Sequence, residues 1–280
     1  GHMRKIDNKE IIAKVSDALI KAAKVLPNDV YAALNAALDK ETNELSKDVL
    51  GKIITNAEIA KDEFIPMCQD TGMVVCFAEV GYDVKITGDL YEAINQGVSK
   101  AYTEGYLRKS VADPISRINT KDNTPAIIHV KLVPGDKLVL KLAPKGAGSE
   151  NMSSVKMLTP ADGIEGIKKH VLNQVFNAGG KPCPPIIVGI GIGGNLEKSA
   201  LLAKEALLRD LDDVNPDPVL RDLEESLLKE INDLGVGPMG FGGNTTALAV
   251  KIGKYPTHIA ALPIAVNIQC HAARHIVVEL

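Results

Sequence analysis

The chain has 280 residues, 45% of them hydrophobic and 24% charged, with a formal net charge of -3. At this length roughly three quarters of the unfolded surface can be buried, so a core needs no staples, and the slight acidity leaves no basic surplus to hold a nucleic-acid backbone. No apolar run approaches the ~20 residues that span a bilayer, and no signal peptide follows Gly1-His2-Met3, which reads as a tag remnant, so a cytoplasmic protein with neither nucleic acid nor membrane as partner is expected.

From Asp7 to Val25 the residues Ile11, Val15, Ala18, Leu19 and Ala22 share one helical face, and Asp7 with Glu10 makes a capping box. Pro27-Asn28-Asp29 breaks this helix. Val30, Ala33, Leu34 and Leu38 predict a second, and Leu45, Val49, Ile53, Ala57 and Ala60 a third. Residues 1–64 therefore read as an N-terminal helical lobe, with 1–3 the tag remnant. Residues 65–280 read as a mixed-sheet core, the whole being one integrated domain of α/β (mixed α+β) class.

Cys68-Gln69-Asp70-Thr71-Gly72 then sets a thiol, an amide, a carboxylate, a hydroxyl and a flexible residue in five positions. Asp, Thr and Gly form turns, and Ile65-Pro66-Met67 biases the entry towards extended backbone, so the group falls in a loop between helix and strand. It is either a reactive loop or a connection with a buried cysteine. Met73 to Val80 predicts a strand in which Cys76 acts as a small hydrophobe, and Leu90 to Leu107 a helix. Ile127–Val133 and Lys137–Leu142 alternate about Pro134-Gly135-Asp136, which predicts a hairpin carrying a structural His129.

Thr159-Pro160-Ala161-Asp162 opens a helix that runs to about Asn177 and stops at Gly179-Gly180. Cys183 precedes the run Ile186-Ile187-Val188, after which Gly189 to Gly194 reads as a glycine-rich turn before a helix from Glu197 to Arg209. Asp217-Pro218 caps a further helix with Leu220, Leu223, Leu227, Ile231 and Leu234 as its stripe. Glycine-rich loops and short apolar runs follow. No internal repeat shows, and Ile276 to Leu280 ends without a polar tail, as though something else should follow or dock there.

Two constellations carry chemistry. Gly189-Ile190-Gly191-Ile192-Gly193-Gly194 satisfies the dinucleotide fingerprint and makes an NAD-binding oxidoreductase domain the rival reading. The acidic strand end expected about 20 residues on is missing, because Asp210-Leu211-Asp212-Asp213 leads through prolines into a helix. Cys68, Cys183 and Cys270 each sit beside polar or proline-rich residues at a predicted element boundary, with no close Cys-x-x-Cys pair to suggest zinc or thioredoxin chemistry. Three converging thiolates would suit an iron-sulfur cluster with one open iron; three independent buried thiols are the alternative.

Cys68-Gln69-Asp70-Thr71-Gly72, Asp122-Asn123-Thr124-Pro125-Ala126, Lys145 to Asn151, Lys181-Pro182-Cys183-Pro184-Pro185 and Gln269-Cys270-His271-Ala272-Ala273-Arg274 together resemble the α subunit of class I fumarate hydratase and of the related tartrate dehydratase. The resemblance covers nearly the whole chain, with five motifs in order. It implies that Cys68, Cys183 and Cys270 hold a [4Fe-4S] cluster whose fourth iron meets the substrate. By the same resemblance Gln69 and Asp70 touch substrate or exchange its proton, Arg108 pairs with a substrate carboxylate, and Arg117 in the same polar segment is a second candidate clamp. Ala147 and Gly148 line the site in a segment that usually reads Lys-Gly-Gly-Gly-Ser, Ala147 standing in the middle position. His258 matches a site histidine, the alternative being a core histidine in an apolar strand. The implied activity is hydration of fumarate to (S)-malate, a tricarboxylic acid cycle reaction, with tartrate dehydratase as the alternative. The resemblance also implies a half-enzyme, inactive without a β subunit that carries the rest of the site for the small dicarboxylate, in an α2β2 assembly with α-α contacts.

Overall fold

The computed structural model describes residues 3–280; the Gly1-His2 part of the expected tag remnant lies outside them. In chain order the elements are β1 (Arg4–Asp7), α1 (Asn8–Lys24), α2 (Asn28–Lys40), α3 (Glu44–Glu63), β2 (Met73–Gly81), β3 (Val84–Thr87), α4 (Leu90–Glu104), β4 (Ile127–Val133) and β5 (Leu138–Lys145). There follow α5 (Ala147–Glu150), β6 (Ser154–Leu158), α6 (Gly163–Ala178), β7 (Ile186–Gly193), α7 (Leu196–Ala206), α8 (Pro218–Asp233), β8 (Ala247–Tyr255), β9 (Leu262–Gln269) and β10 (Ile276–Glu279). Helices and mixed sheets together make an α/β fold, as the sequence predicts. Among the described residues no helix is long and apolar enough to cross a membrane.

Local chemistry sets the helix starts. Asp7 caps α1 by accepting the Lys9 N–H at 2.8 Å, and Asp217 caps α8 by accepting from Val219 and Leu220 with Pro218 at the first helical position. Thr159 and Asp162 close the expected capping box, although one turn of 3-10 helix, Pro160–Asp162, precedes α6.

The chain folds as two compact units. The first comprises Gly1–Pro27, Ala57–Ala147 and Arg274–Leu280, and the second Asn28–Asn56 and Gly148–Ala273. Of the N-terminal helices, α1 belongs to the first unit and α2 to the second. In the first unit the sheet order is β10-β5-β2-β4, with β2 parallel to β4 and antiparallel to β5, and β1 pairs separately with β3. Ile11, Val15 and Leu19 of α1 and Ile94, Val98 and Tyr102 of α4 bury against Val74, Cys76, Leu140 and Leu142 of the sheet. A Cβ on Gly97 would lie 2.7 Å from Val15, so this glycine is what lets α4 close on α1.

The expected hairpin of β4 with β5 does not form, because β2 lies between them. Residues 134–137 instead wrap the end of β2: Gly81 N–H donates to Lys137 O, Tyr82 N–H to Val133 O and Asp83 N–H to Gly135 O. Pro134-Gly135-Asp136 does reverse the chain, but the shared partner of both strands is the earlier strand β2.

In the second unit the order is β6-β9-β7-β8, with β7 parallel to β8 and antiparallel to β9. Its core joins Ile167, Val171 and Val175 of α6 and Leu223, Leu227 and Ile231 of α8 to Ile186, Val188, Val250, Val266 and Ile268. The glycine run Gly189 to Gly193 is not a turn but the second half of β7. A Cβ on Gly191 would sit 2.0 Å from Ser199 O and one on Gly189 2.3 Å from Ala203 O, so the glycines admit the backbone of α7 against the strand. That helix fills the approach a pyrophosphate would need, and the dinucleotide reading loses its cradle. Gly191→Ala is expected to lower stability by about 1–3 kcal/mol through overpacking; an unchanged midpoint in urea would show that α7 does not rest on this strand.

The repeat that the sequence hides is topological. In each unit a central strand (β2 or β7) is followed through helix by a parallel neighbour (β4 or β8), then by an antiparallel strand on its other side (β5 or β9), whose outer edge takes a further antiparallel strand (β10 or β6).

Candidate functional site

The repeated topology places the motifs. In both units they lie where the central strand begins and its antiparallel neighbour ends, since Met73 pairs with Lys145 in the first and Ile187 with Gln269 in the second. Asp70 therefore meets the segment after β5, and Cys183 meets the segment after β9.

In the first unit Asp70 is half-buried, and both of its carboxylate oxygens are held by backbone. Oδ1 accepts from Gly72 N–H at 3.0 Å and Oδ2 from Ala147 N–H at 2.8 Å. The Ala147 side chain is exposed, and its backbone donor is present without the usual glycine. Gly146 is more demanding: a Cβ there would lie 3.0 Å from Asp70 Oδ2 and 3.5 Å from Arg274 Nη2. Arg274 is only 3% exposed and donates from Nη1 to the Asp70 carbonyl oxygen, while its Nε has no hydrogen-bond partner. Cys68 is half-buried and Gln69 exposed beside them.

Below this loop lies a buried polar network that the sequence reading did not assign. Thr71 Oγ1 donates to Arg108 O at 2.8 Å, and Tyr102 Oη donates to Thr71 O at 2.7 Å. Asn123 accepts the Ser110 N–H at 2.7 Å on Oδ1 and donates from Nδ2 to Gly72 O at 3.0 Å. Burial pushes the Tyr102 phenol well above its ordinary pKa, so it stays a donor. Arg108 and Arg117 both present exposed side chains. Arg117 sits at a left-handed φ of 64° on the loop closed by the Ala112–Asn119 bridge, and donates to Pro114 O.

In the second unit the structure brings the Cys183 loop against His271, the neighbour of Cys270 in the chain. His271 reaches the Cys183 carbonyl oxygen from its ring Nδ1 at 2.8 Å and from its backbone N–H at 3.5 Å. Burial holds the His271 ring below its ordinary pKa, so the neutral form donates from Nδ1. Cys183 has φ 56°, a left-handed conformation uncommon for a side-chain-bearing residue and of the kind held at functional sites. Pro184 O accepts from Met239 N–H, and Gln269 Nε2 reaches Cys270 Sγ at 3.5 Å. Both thiols are half-buried. Gly148 stands where a Cβ would meet Lys181 O at 3.7 Å, so its segment adjoins the one that carries Cys183.

His258, His129 and Cys76 have their own settings. His258 is not in a strand core but in the exposed turn between β8 and β9, its Nδ1 accepting from Ala260 N–H. His129 stacks on Phe77 with ring centroids 5.1 Å apart, a structural role. Cys76 is fully buried, its thiol pushed up to about 12 by desolvation.

Residues 12–279 match the family described as fumarate hydratase (fumerase). The chain is 46% identical over 272 residues to the putative L(+)-tartrate dehydratase subunit alpha of Methanocaldococcus jannaschii, covering 93% of this chain and 95% of that one. It is 31% identical over 253 residues to the L(+)-tartrate dehydratase subunit alpha of Escherichia coli (strain UTI89 / UPEC), covering 89% of this chain and 84% of that one.

Proposed function

The chain belongs to the fumarate hydratase family, and from that premise we propose that it is the α subunit of an iron-sulfur hydro-lyase that adds water reversibly across the double bond of fumarate. The observation that carries the reading is Asp70, a carboxylate fixed by two backbone donors two residues from Cys68, within a family motif.

The chemistry of the donors suits a [4Fe-4S] cluster, which Cys68, Cys183 and Cys270 would hold in this reading. Their thiols are half-buried, and an amide N–H reaches one sulfur, whereas desolvation keeps Cys76 protonated in the core. When bound, such a cluster with three protein ligands supplies a Lewis-acidic iron. The chain's own residues do the rest: Asp70 exchanges a proton with the substrate, Gln69 contacts it, and the Arg108 guanidinium pairs with one carboxylate, with Arg117 available to a second. Ala147 contributes its backbone N–H to the orientation of Asp70. Gly148 and His258 are further contacts in this reading.

A β subunit completes the enzyme, since the relatives are named as alpha subunits. Those names also favour a second reading, in which the substrate is L(+)-tartrate. The test is anaerobic reconstitution with and without the β subunit, assayed on fumarate and on tartrate in parallel. About four irons per chain and turnover of fumarate only with the partner are expected. Turnover of tartrate alone would establish the second reading, and absence of iron would sink both.

A further inference from the structure

Thr71, Asn123 and Tyr102 are 2%, 0% and 1% exposed, and the reactions of the site do not use them. Buried polar groups are retained where their geometry is needed. Together they make one connection: Thr71 Oγ1 holds the carbonyl oxygen of Arg108, and Asn123 bonds both Ser110 N–H and Gly72 O. The segment that carries Arg108 is thereby tied, on both sides of Lys109, to the loop that carries Asp70. Apart from this tie Arg108 has a long, exposed side chain whose reach is set by where its backbone stands.

We propose that Thr71 is a positioning residue, which with Asn123 fixes the Arg108 backbone against the Asp70 loop and so limits the reach of the guanidinium and the dicarboxylates that the site accepts. The proposal rests on the reading of Arg108 as a carboxylate clamp. The Asp70 carboxylate has its own two anchors in Gly72 and Ala147, so loosening Arg108 leaves the proton-transfer group in place. The loss then falls on substrate binding, shared by ground and transition states, and appears in KM.

The experiment uses the reconstituted holoenzyme with its β subunit and the variants Thr71→Val and Thr71→Ser. Thr71→Val is expected to raise KM for fumarate, and the Kd for the unreactive dicarboxylate succinate, about tenfold, the scale of one weakened charge-assisted contact between the Arg108 guanidinium and the substrate carboxylate. kcat and iron content should stay close to those of the parent, Tm should fall by only a few degrees, the scale of one lost buried hydrogen bond, and Thr71→Ser should restore KM. In an Arg108→Met background Thr71→Val should add nothing further, because both act through one contact. Unchanged KM and succinate binding, or a parallel loss of kcat, iron and Tm, would overturn the proposal in favour of a purely structural role. If the parent enzyme turns over neither fumarate nor tartrate, the clamp reading itself has failed. Amide exchange across residues 108–111 then decides the tie alone: faster exchange in Thr71→Val supports it and unchanged exchange removes it.

Discussion

Cys183→Ser is expected to abolish cluster binding and activity together while leaving the fold largely intact. Serine differs from cysteine by one atom and keeps the backbone bonds that fix this loop, those of Cys183 O with His271 and of Pro184 O with Met239. What it removes is the sulfur ligand, and a serine hydroxyl, harder and far less acidic, is a much poorer ligand for cluster iron. Iron per reconstituted chain should fall from about four to near zero, with hydration activity at background and little change in the far-ultraviolet dichroism or the midpoint of unfolding. Cys76→Ser supplies the opposite pattern. It buries a hydroxyl in an apolar core at a cost of about 1–3 kcal/mol, yet should retain its iron. A Cys183→Ser holoenzyme with full activity would end the cluster assignment, whatever the iron content of the parent.

These contrasts separate what the sequence carries from what it does not. Helices α1, α6 and α8 were legible because each joins a cap to a complete apolar stripe, both written within one stretch of chain: Asp7 with Ile11, Val15 and Leu19, or Asp217-Pro218 with Leu223, Leu227 and Ile231. The partner of a strand is not local information. Pro134-Gly135-Asp136 does reverse the chain, but β2 had already taken the place between β4 and β5. Gly189 to Gly193 failed for a related reason, since glycines that admit a phosphate and glycines that admit a helix backbone are the same residues in sequence. Cysteine type and neighbouring residues place Cys183 and Cys270 at element boundaries, and the structure has them in the loops just before β7 and just after β9. The groups that hold those loops, His271, Arg274, Thr71 and Asn123, carried no signal of their own beyond membership of a motif. Their partners lie tens to hundreds of residues away.

The duplicated topology accounts for why the motifs are scattered along the chain. A parallel crossover from β2 to β4 or from β7 to β8 consumes helix and loop before the chain returns antiparallel to the same end of the central strand. Residues that finish as neighbours, such as Cys183 and His271, or Asp70 and Ala147, must then be far apart in sequence. Wide spacing, which argued against zinc-type chelation, is here the direct result of building a site on the ends of mixed-sheet strands.

Asp70→Asn tests the acid-base assignment without disturbing the loop's shape. The amide is isosteric and keeps one acceptor for Gly72 or Ala147 N–H, but its NH2 group then faces the remaining donor. That local conflict costs on the order of 1–3 kcal/mol, and relaxation of the Ala147 segment can absorb part of it. The chemical consequence is larger, because an amide neither takes nor gives the proton. kcat is expected to fall about 10²–10⁴-fold, the usual contribution of a positioned general acid or base, while KM and iron content stay near the parent values. A fall in KM affinity with preserved kcat would instead make Asp70 a binding group, placing it beside Arg108 in role. A kcat within about threefold of the parent, far short of the loss expected for a general acid or base, would move proton transfer to the β subunit and leave Asp70, with Gly146 and Arg274, as the frame of the Cys68 loop.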